Sequence, residues 1–179
     1  MFKKVFIVLM ACALSLCFMG CGSAAEETVE VTLPASLVEN YDTSNLESMV
    51  EQEGIEAATK NEDGSITWVM TKQKHDELMK TMRESFDSSL AEMVASDDYP
   101  TFVDIQHNDN YSEFTIKVDA DKLGVKESFS TLAFYMVGGF YNTFNGAPVD
   151  NVTVTFVNNN TGEVISSVNS ADMGKQQAE

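Results

Sequence analysis

Cysteine is scarce in this sequence and is confined to its first 21 residues. Three cysteines occur, at positions 12, 17 and 21. A disulfide framework is therefore excluded for everything that follows Cys21.

Basic residues are also few, since 11 Lys and Arg stand against 28 Asp and Glu, for a net charge of -17. Because phosphate binding needs clustered cations, this balance excludes a nucleic-acid-binding protein, and it disfavours electrostatic binding to anionic lipid.

The sequence also lacks the motifs that carry common enzyme chemistry. It contains two histidines and no HExxH, GxSxG, P-loop or CxxC pattern. We expect His75 to be a satisfied histidine at a helix boundary, with a metal ligand or general base as the alternative, and His107 to be exposed at a turn. The Asn- and Asp-rich turns lack the alternating DxDxDG spacing of a calcium loop. The sequence therefore predicts a protein that is not an enzyme, with no catalytic residue, no cofactor and no metal.

One long apolar run is present, near the N-terminus. Lys3 and Lys4 precede an uncharged stretch that begins at Val5 and ends at Gly20, followed by Cys21. The run is short for a membrane-spanning helix, which needs about 20 residues, and has the proportions of a secretory signal peptide. We therefore predict that residues 1–20 are a signal peptide.

The segment from Phe18 to Cys21 resembles a bacterial lipobox, with a small residue, Gly20, directly before the cysteine. In signals of this kind the cysteine thiol receives a diacylglycerol and the cysteine becomes the new N-terminus. The resemblance implies lipidation of Cys21 and a palmitate-bearing protein anchored on the extracytoplasmic face of the cell membrane. An uncleaved signal anchor and an ordinary cleavage site near Ala24 and Ala25 are the alternatives.

The remainder of the chain predicts one domain with a short segment at either end. Residues 21–28 are small and polar and predict a flexible tether, and residues 171–179 predict a polar tail. Between them, residues 29–170 contain regular alternation of strand and helix patterns with an apolar content typical of a globular domain. A single α+β domain over residues 29–170 follows.

The order of these patterns is one strand and then three helix–hairpin units. A strand at Val29–Leu33 precedes helices over residues 44–53, 72–95 and 128–144, each followed by a two-stranded hairpin. In residues 111–119 apolar and polar residues alternate, which places Phe114, Ile116 and Val118 on one face. The second helix has an apolar face formed by Leu78, Met79, Met82, Phe86, Leu90 and Met93. We predict a mainly antiparallel sheet of about seven strands with three helices on one face, in the order β-(α-β-β) repeated three times. A weak internal repeat and a simple alternation of elements are both compatible with this order.

The third helix is apolar nearly all round. Its main stripe predicts packing on the sheet through Phe129, Leu132, Ala133, Met136, Val137, Phe140 and Phe144. Phe134, Tyr135 and Tyr141 lie off this stripe and are candidates to line a ligand groove. Gly138 and Gly139 are costly inside a helix, so close packing against a neighbour is expected to compensate.

Three segments resemble a group of known proteins. Asp63–Met79, Tyr111–Thr115 and Phe144–Gly146 are similar to uncharacterised cell-surface lipoproteins of Gram-positive anaerobic bacteria. The resemblance covers nearly the whole domain. It implies a surface lipoprotein of unassigned activity and supplies no catalytic residue.

These observations favour a membrane-anchored lipoprotein with a non-enzymatic binding or envelope-structural role. One alternative is a carrier that holds an apolar ligand or peptide beside the third helix, and another is an envelope hydrolase. The expected partners are the membrane, through Cys21, and a protein or ligand that the sequence does not identify.

Overall fold

A computed structural model describes residues 27–38, 50 and 54–173 of the chain. The predicted signal peptide, Cys21, and all of the first predicted helix except Val50 lie outside the described residues. The described part is an α+β fold with seven strands in two sheets.

The first sheet has three antiparallel strands in the order β1-β3-β2. Its members are β1 (Thr28–Leu33), β2 (Ala57–Lys60) and β3 (Ile66–Thr71). A short helix, α1 (Ala35–Val38), follows β1, and the predicted hairpin around Gly64 joins β2 to β3.

The second sheet has four strands in the order β4-β5-β6-β7. They are β4 (Phe102–His107), β5 (Glu113–Val118), β6 (Thr153–Asn158) and β7 (Val164–Asn169). A short 3-10 helix, Ser170–Asp172, follows β7. The pairs β4–β5 and β6–β7 are the predicted hairpins, whereas β5 and β6 are parallel.

The prediction of one mainly antiparallel seven-stranded sheet is therefore wrong in two respects, although the α+β class and the strand count are correct. The strands divide into two sheets, and the second sheet is mixed. The physical reason for the parallel pair is the connection between β5 and β6. It contains α3 (Val125–Asn145), and a helical crossover returns the chain in the same direction beside the strand it left.

Two long helices pack against each other and against strands of both sheets. The first, α2 (Lys72–Ala95), begins directly after β3, and its N-cap Thr71 accepts a hydrogen bond from the Lys74 backbone N–H at 3.2 Å. Its predicted apolar face is confirmed, since the following side chains all belong to the core or pack against it: Leu78, Met79, Met82, Phe86, Leu90 and Met93.

The core is one cluster that contains residues of both sheets. On β5 the predicted inward face is confirmed, since Phe114, Ile116 and Val118 are at most 1% exposed. On β6, Val154 and Phe156 are fully buried. Strand alternation thus predicted the buried face of the second sheet, and α3 covers it.

Candidate functional site

The buried face of α3 differs from the predicted one. Phe129, Leu132, Met136 and Phe140 were expected to pack on the sheet, and the structure exposes all four. The residues that are buried instead include Ser130, Phe134, Gly138, Tyr141 and Asn142. The prediction of the α3 stripe is therefore wrong for four of its seven members, while Phe144 is buried as expected.

Gly138 explains why this face of α3, and not the predicted one, is buried. A Cβ atom at position 138 would lie 2.3 Å from the Tyr111 carbonyl oxygen and 2.7 Å from a methyl group of Val152. Only a residue without a side chain lets the α3 backbone come this close. The expected close packing at the glycine pair is thus confirmed at Gly138. At Gly139 the nearest atom, the Val149 carbonyl oxygen, would be 3.1 Å from a Cβ atom.

The opposite side of α3 forms an exposed ridge of apolar side chains. We define the α3 ridge by Val125 (74% exposed), Phe129 (67%), Leu132 (44%), Met136 (74%) and Phe140 (40%). No charged residue occurs from Ser128 to Val149, in a chain of which 22% is charged. A contiguous exposed apolar surface of this kind typically marks a binding site.

A cleft of about 410 Å³ lies on one side of the ridge, between α1 and α3. We call it the α1 cleft. Its walls are almost wholly apolar and include Pro34, Leu37, Phe86, Val137, Phe140 and Val149. The volume is within the range of small-molecule sites, about 300–1,000 Å³.

A second cleft, of about 620 Å³, lies on the other side of the ridge, between α3 and β7. We call it the β7 cleft. Val168 pairs with the buried Val154, so it lies on the same sheet face, yet it is 37% exposed because α3 does not cover this strand. Phe129 and Leu132 form one wall, and Ser166, Val168 and Met173 lie opposite. This cleft is more polar than the α1 cleft.

The three candidate ligand-binding residues occupy different places. Phe134 is fully buried and Tyr141 is 3% exposed, and neither lines the α1 cleft or the β7 cleft, so the prediction is wrong for these two clefts. Both belong to the buried face because that face, not the predicted stripe, meets the sheet. Tyr135 is half-buried and lines both clefts. Burial, and secondarily the charge of Asp172, raise the pKa of its phenol.

A polar cluster missed by the sequence analysis connects α2 to the β4–β5 turn. Tyr111 donates a hydrogen bond to Asp87 Oδ1 at 2.5 Å, and His107 Nε2 lies 3.1 Å from the same oxygen. The His107 ring stacks on Tyr111 with centroids 4.2 Å apart, and its Nδ1 donates to the Asn108 carbonyl at 2.9 Å. The expectation that His107 is exposed is therefore wrong, since its side chain is only 21% exposed.

Tyr111 is the centre of this cluster. It is fully buried and has φ +54°, a left-handed conformation that is rare for a large residue. Burial, and then the hydrogen bond to Asp87, raise the pKa of its phenol well above the ordinary value. Neither cleft beside α3 is lined by this cluster. The contacts of this cluster hold the β4–β5 turn against α2.

His75 connects the start of α2 to the end of α3. Its Nε2 donates to the Phe144 carbonyl at 2.9 Å, and its side chain is 14% exposed. The expectation of a satisfied histidine at the helix boundary is confirmed. Across residues 27–38, 50 and 54–173, no three His, Cys, Asp or Glu side chains are grouped to hold a metal ion.

Within the same part of the chain, none of the helices has both the length and the apolar character that crossing a bilayer requires. No protein-family model, no curated protein and no solved structure matches this sequence.

Proposed function

We propose that this chain is a lipoprotein anchored through Cys21 to the extracytoplasmic face of the cell membrane, and that it acts as a non-enzymatic binding protein. The ligand would be a small apolar molecule or an apolar peptide segment, held in the α1 cleft. The observation that carries the proposal is the lining of this cleft, which is apolar on α1, on α2 and on α3. Removal of such surface from water is favourable by about 25 cal/mol per Å².

The electrostatics of the cleft support an uncharged ligand. The α3 wall comes from the charge-free stretch Ser128–Val149, and the α1 wall is formed by Pro34, Ser36 and Leu37. A charged ligand would lose its hydration here without gaining an ion pair with the cleft wall. An apolar ligand would lose only contacts with water.

The anchor is tested by metabolic labelling with an alkyne analogue of palmitate. The wild-type chain should incorporate the label, and Cys21→Ala should lose it, because the thiol is the acylated group. Cys21→Ser serves as a second variant with a polar side chain of similar size. Label that persists in both variants would contradict the lipobox interpretation.

The cleft is tested with a neutral alkyl diazirine probe applied to membranes that contain the full chain. Saturable labelling of peptides that contain Leu37 or Phe140 is expected. Val149→Asp places a charge in the wall and should abolish it, while Val164→Asp, at an exposed valine that lines neither cleft, should not. Equal labelling of the two variants, or the absence of saturable labelling in the wild type, would contradict the proposal.

A further inference from the structure

The N-terminal part of the α3 ridge lies directly beside the β7 cleft, and the two surfaces have similar character. Phe129 and Leu132 belong to both, since they project from the ridge and form one wall of the cleft. The other wall is formed by β7, where Val168 is exposed, and by the end of the 3-10 helix that follows it, where Met173 is exposed. A ridge next to a groove of matching character is self-complementary, because the ridge of one copy can enter the groove of another.

The spacing of the ridge fits a helix as its partner. Val125, Phe129, Leu132 and Met136 follow at intervals of four, three and four residues. This is the spacing at which apolar residues of two packed helices interlock. In an antiparallel pair related by a twofold axis, Val125 of one copy would face Met136 of the other, and Phe129 would face Leu132. Four of the five ridge residues then have an apolar partner, and Phe140 lies outside the paired stretch.

Charge argues against a partner that binds by ion pairs. The ridge from Ser128 onward is uncharged, and the nearest lysine on the helix, Lys126, lies 3.1 Å from Asp98. A basic peptide would therefore find no acidic group along the ridge. A second copy presents an equally uncharged ridge. Asp172 lines the β7 cleft and therefore lies at the contact in each copy, where it adds a repulsion that salt screens within about 8 Å at physiological ionic strength.

We propose that a second copy of this chain covers the α3 ridge, with two α3 helices packed antiparallel about a twofold axis. The four paired ridge residues, with Val168 and Met173 of the β7 cleft, together expose about as much as three and a half whole side chains. This is on the order of 400 Å² of apolar surface per copy, at about 120 Å² for each whole side chain. A standard interface buries about 800 Å² per partner, so these residues form its centre and Ser128 and Thr131 lie at its rim. This inference goes beyond the proposed ligand binding and uses the β7 cleft, although Met136 and Phe140 of the ridge also line the α1 cleft.

The test is site-specific photo-crosslinking of the full chain in membranes. Two copies with different affinity tags are co-expressed, and each carries p-benzoylphenylalanine in place of Phe129. A product of twice the chain mass that contains both tags is expected. The matched control carries the same group in place of Val164, which is 63% exposed and lines neither cleft, and it should give at least about tenfold less product.

A charge placed on the ridge should break the contact. Met136→Glu puts a carboxylate at a residue that is 74% exposed, so the fold is retained, and the doubly tagged product should fall about tenfold, whereas Val164→Glu should leave it unchanged. Raising the salt concentration should increase the yield, because it screens repulsion between two acidic copies. A product with a different protein, a product unaffected by Met136→Glu, or a yield that falls with salt would overturn the proposal. Val149→Asp should not alter the crosslink, which separates failure of the ligand proposal from failure of the dimer.

Discussion

Both faces of α3 carry large apolar side chains, yet the two faces have opposite environments. Phe134 and Tyr141 on one face are buried, while Phe129 and Met136 on the other are more than 60% exposed. Hydrophobicity alone therefore does not decide which face of this helix meets the sheet. Contact distance decides it, because Gly138 is the position at which the backbone can approach the β4–β5 turn and Val152.

The comparison also assigns different roles to the two faces. The buried face stabilises the fold, since each ring there contacts other core side chains, as Phe134 does with Phe114 at 5.1 Å between centroids. The exposed face contributes little to folding and remains available to bind. Substitutions on the buried face should therefore lower stability, and substitutions on the exposed face should affect binding alone.

The largest difference is expected between two phenylalanines. Phe134→Ala should lower the free energy of unfolding by about 3–5 kcal/mol, because it leaves a cavity in the core. Phe129→Ala should change it by less than about 0.5 kcal/mol, because its side chain is mostly in water. Chemical denaturation of the two variants measures both values. Equal losses would show that the ridge is part of the core.

A smaller difference is expected between the two glycines. Gly138→Ala should destabilise by about 1–3 kcal/mol or more, because the added methyl group would overlap the Tyr111 carbonyl and Val152. Gly139→Ala faces only the Val149 carbonyl at 3.1 Å and gains helix propensity of up to about 1 kcal/mol, so its net effect should be near zero. Thermal unfolding of both variants tests this pair. A stabilised Gly138→Ala protein would contradict the close approach.

The smallest effect concerns the polar cluster behind the buried face. Tyr111→Phe removes the hydrogen bond to Asp87 and should cost about 1 kcal/mol at neutral pH, because Asp87 is half-exposed. The raised pKa of Tyr111 adds a pH dependence. Above about pH 10 the unfolded chain loses its phenol proton while the folded one keeps it, so stability falls as pH rises. The variant should lose this part of the alkaline decline in urea titrations at pH 9 and 11, and an unchanged slope would argue against the assignment.

Much of the fold was predictable because its local patterns are unambiguous. Alternation of Phe114, Ile116 and Val118 identified the inner face of β5, and the period of α2 identified its apolar stripe. The orientation of α3 could not be predicted, because apolar residues occur on all of its faces. The glycine pair was the one available signal, and it indicated close packing without distinguishing position 138 from position 139.

The parallel pairing and the polar cluster depend on contacts between distant parts of the chain. Asp87 looks like an ordinary polar-face residue of α2, and His107 looks like the end of a strand. They meet only because α2 packs across β4. The clefts beside α3 likewise depend on where the helix lies relative to α1 and β7, which no local pattern encodes.

The central claim is that the α3 ridge is an open face of the folded chain, and methionine oxidation tests it most directly. Met136 is 74% exposed on the ridge, Met173 is 53% exposed, and Met70 is 2% exposed in the core. Dilute protein is treated with hydrogen peroxide under native conditions, and each methionine is followed by mass spectrometry. The account predicts that Met136 oxidises about as fast as Met173 and far faster than Met70, with protection of Met136 increasing as the protein is concentrated. Oxidation of Met136 as slow as that of Met70 at every concentration would contradict it.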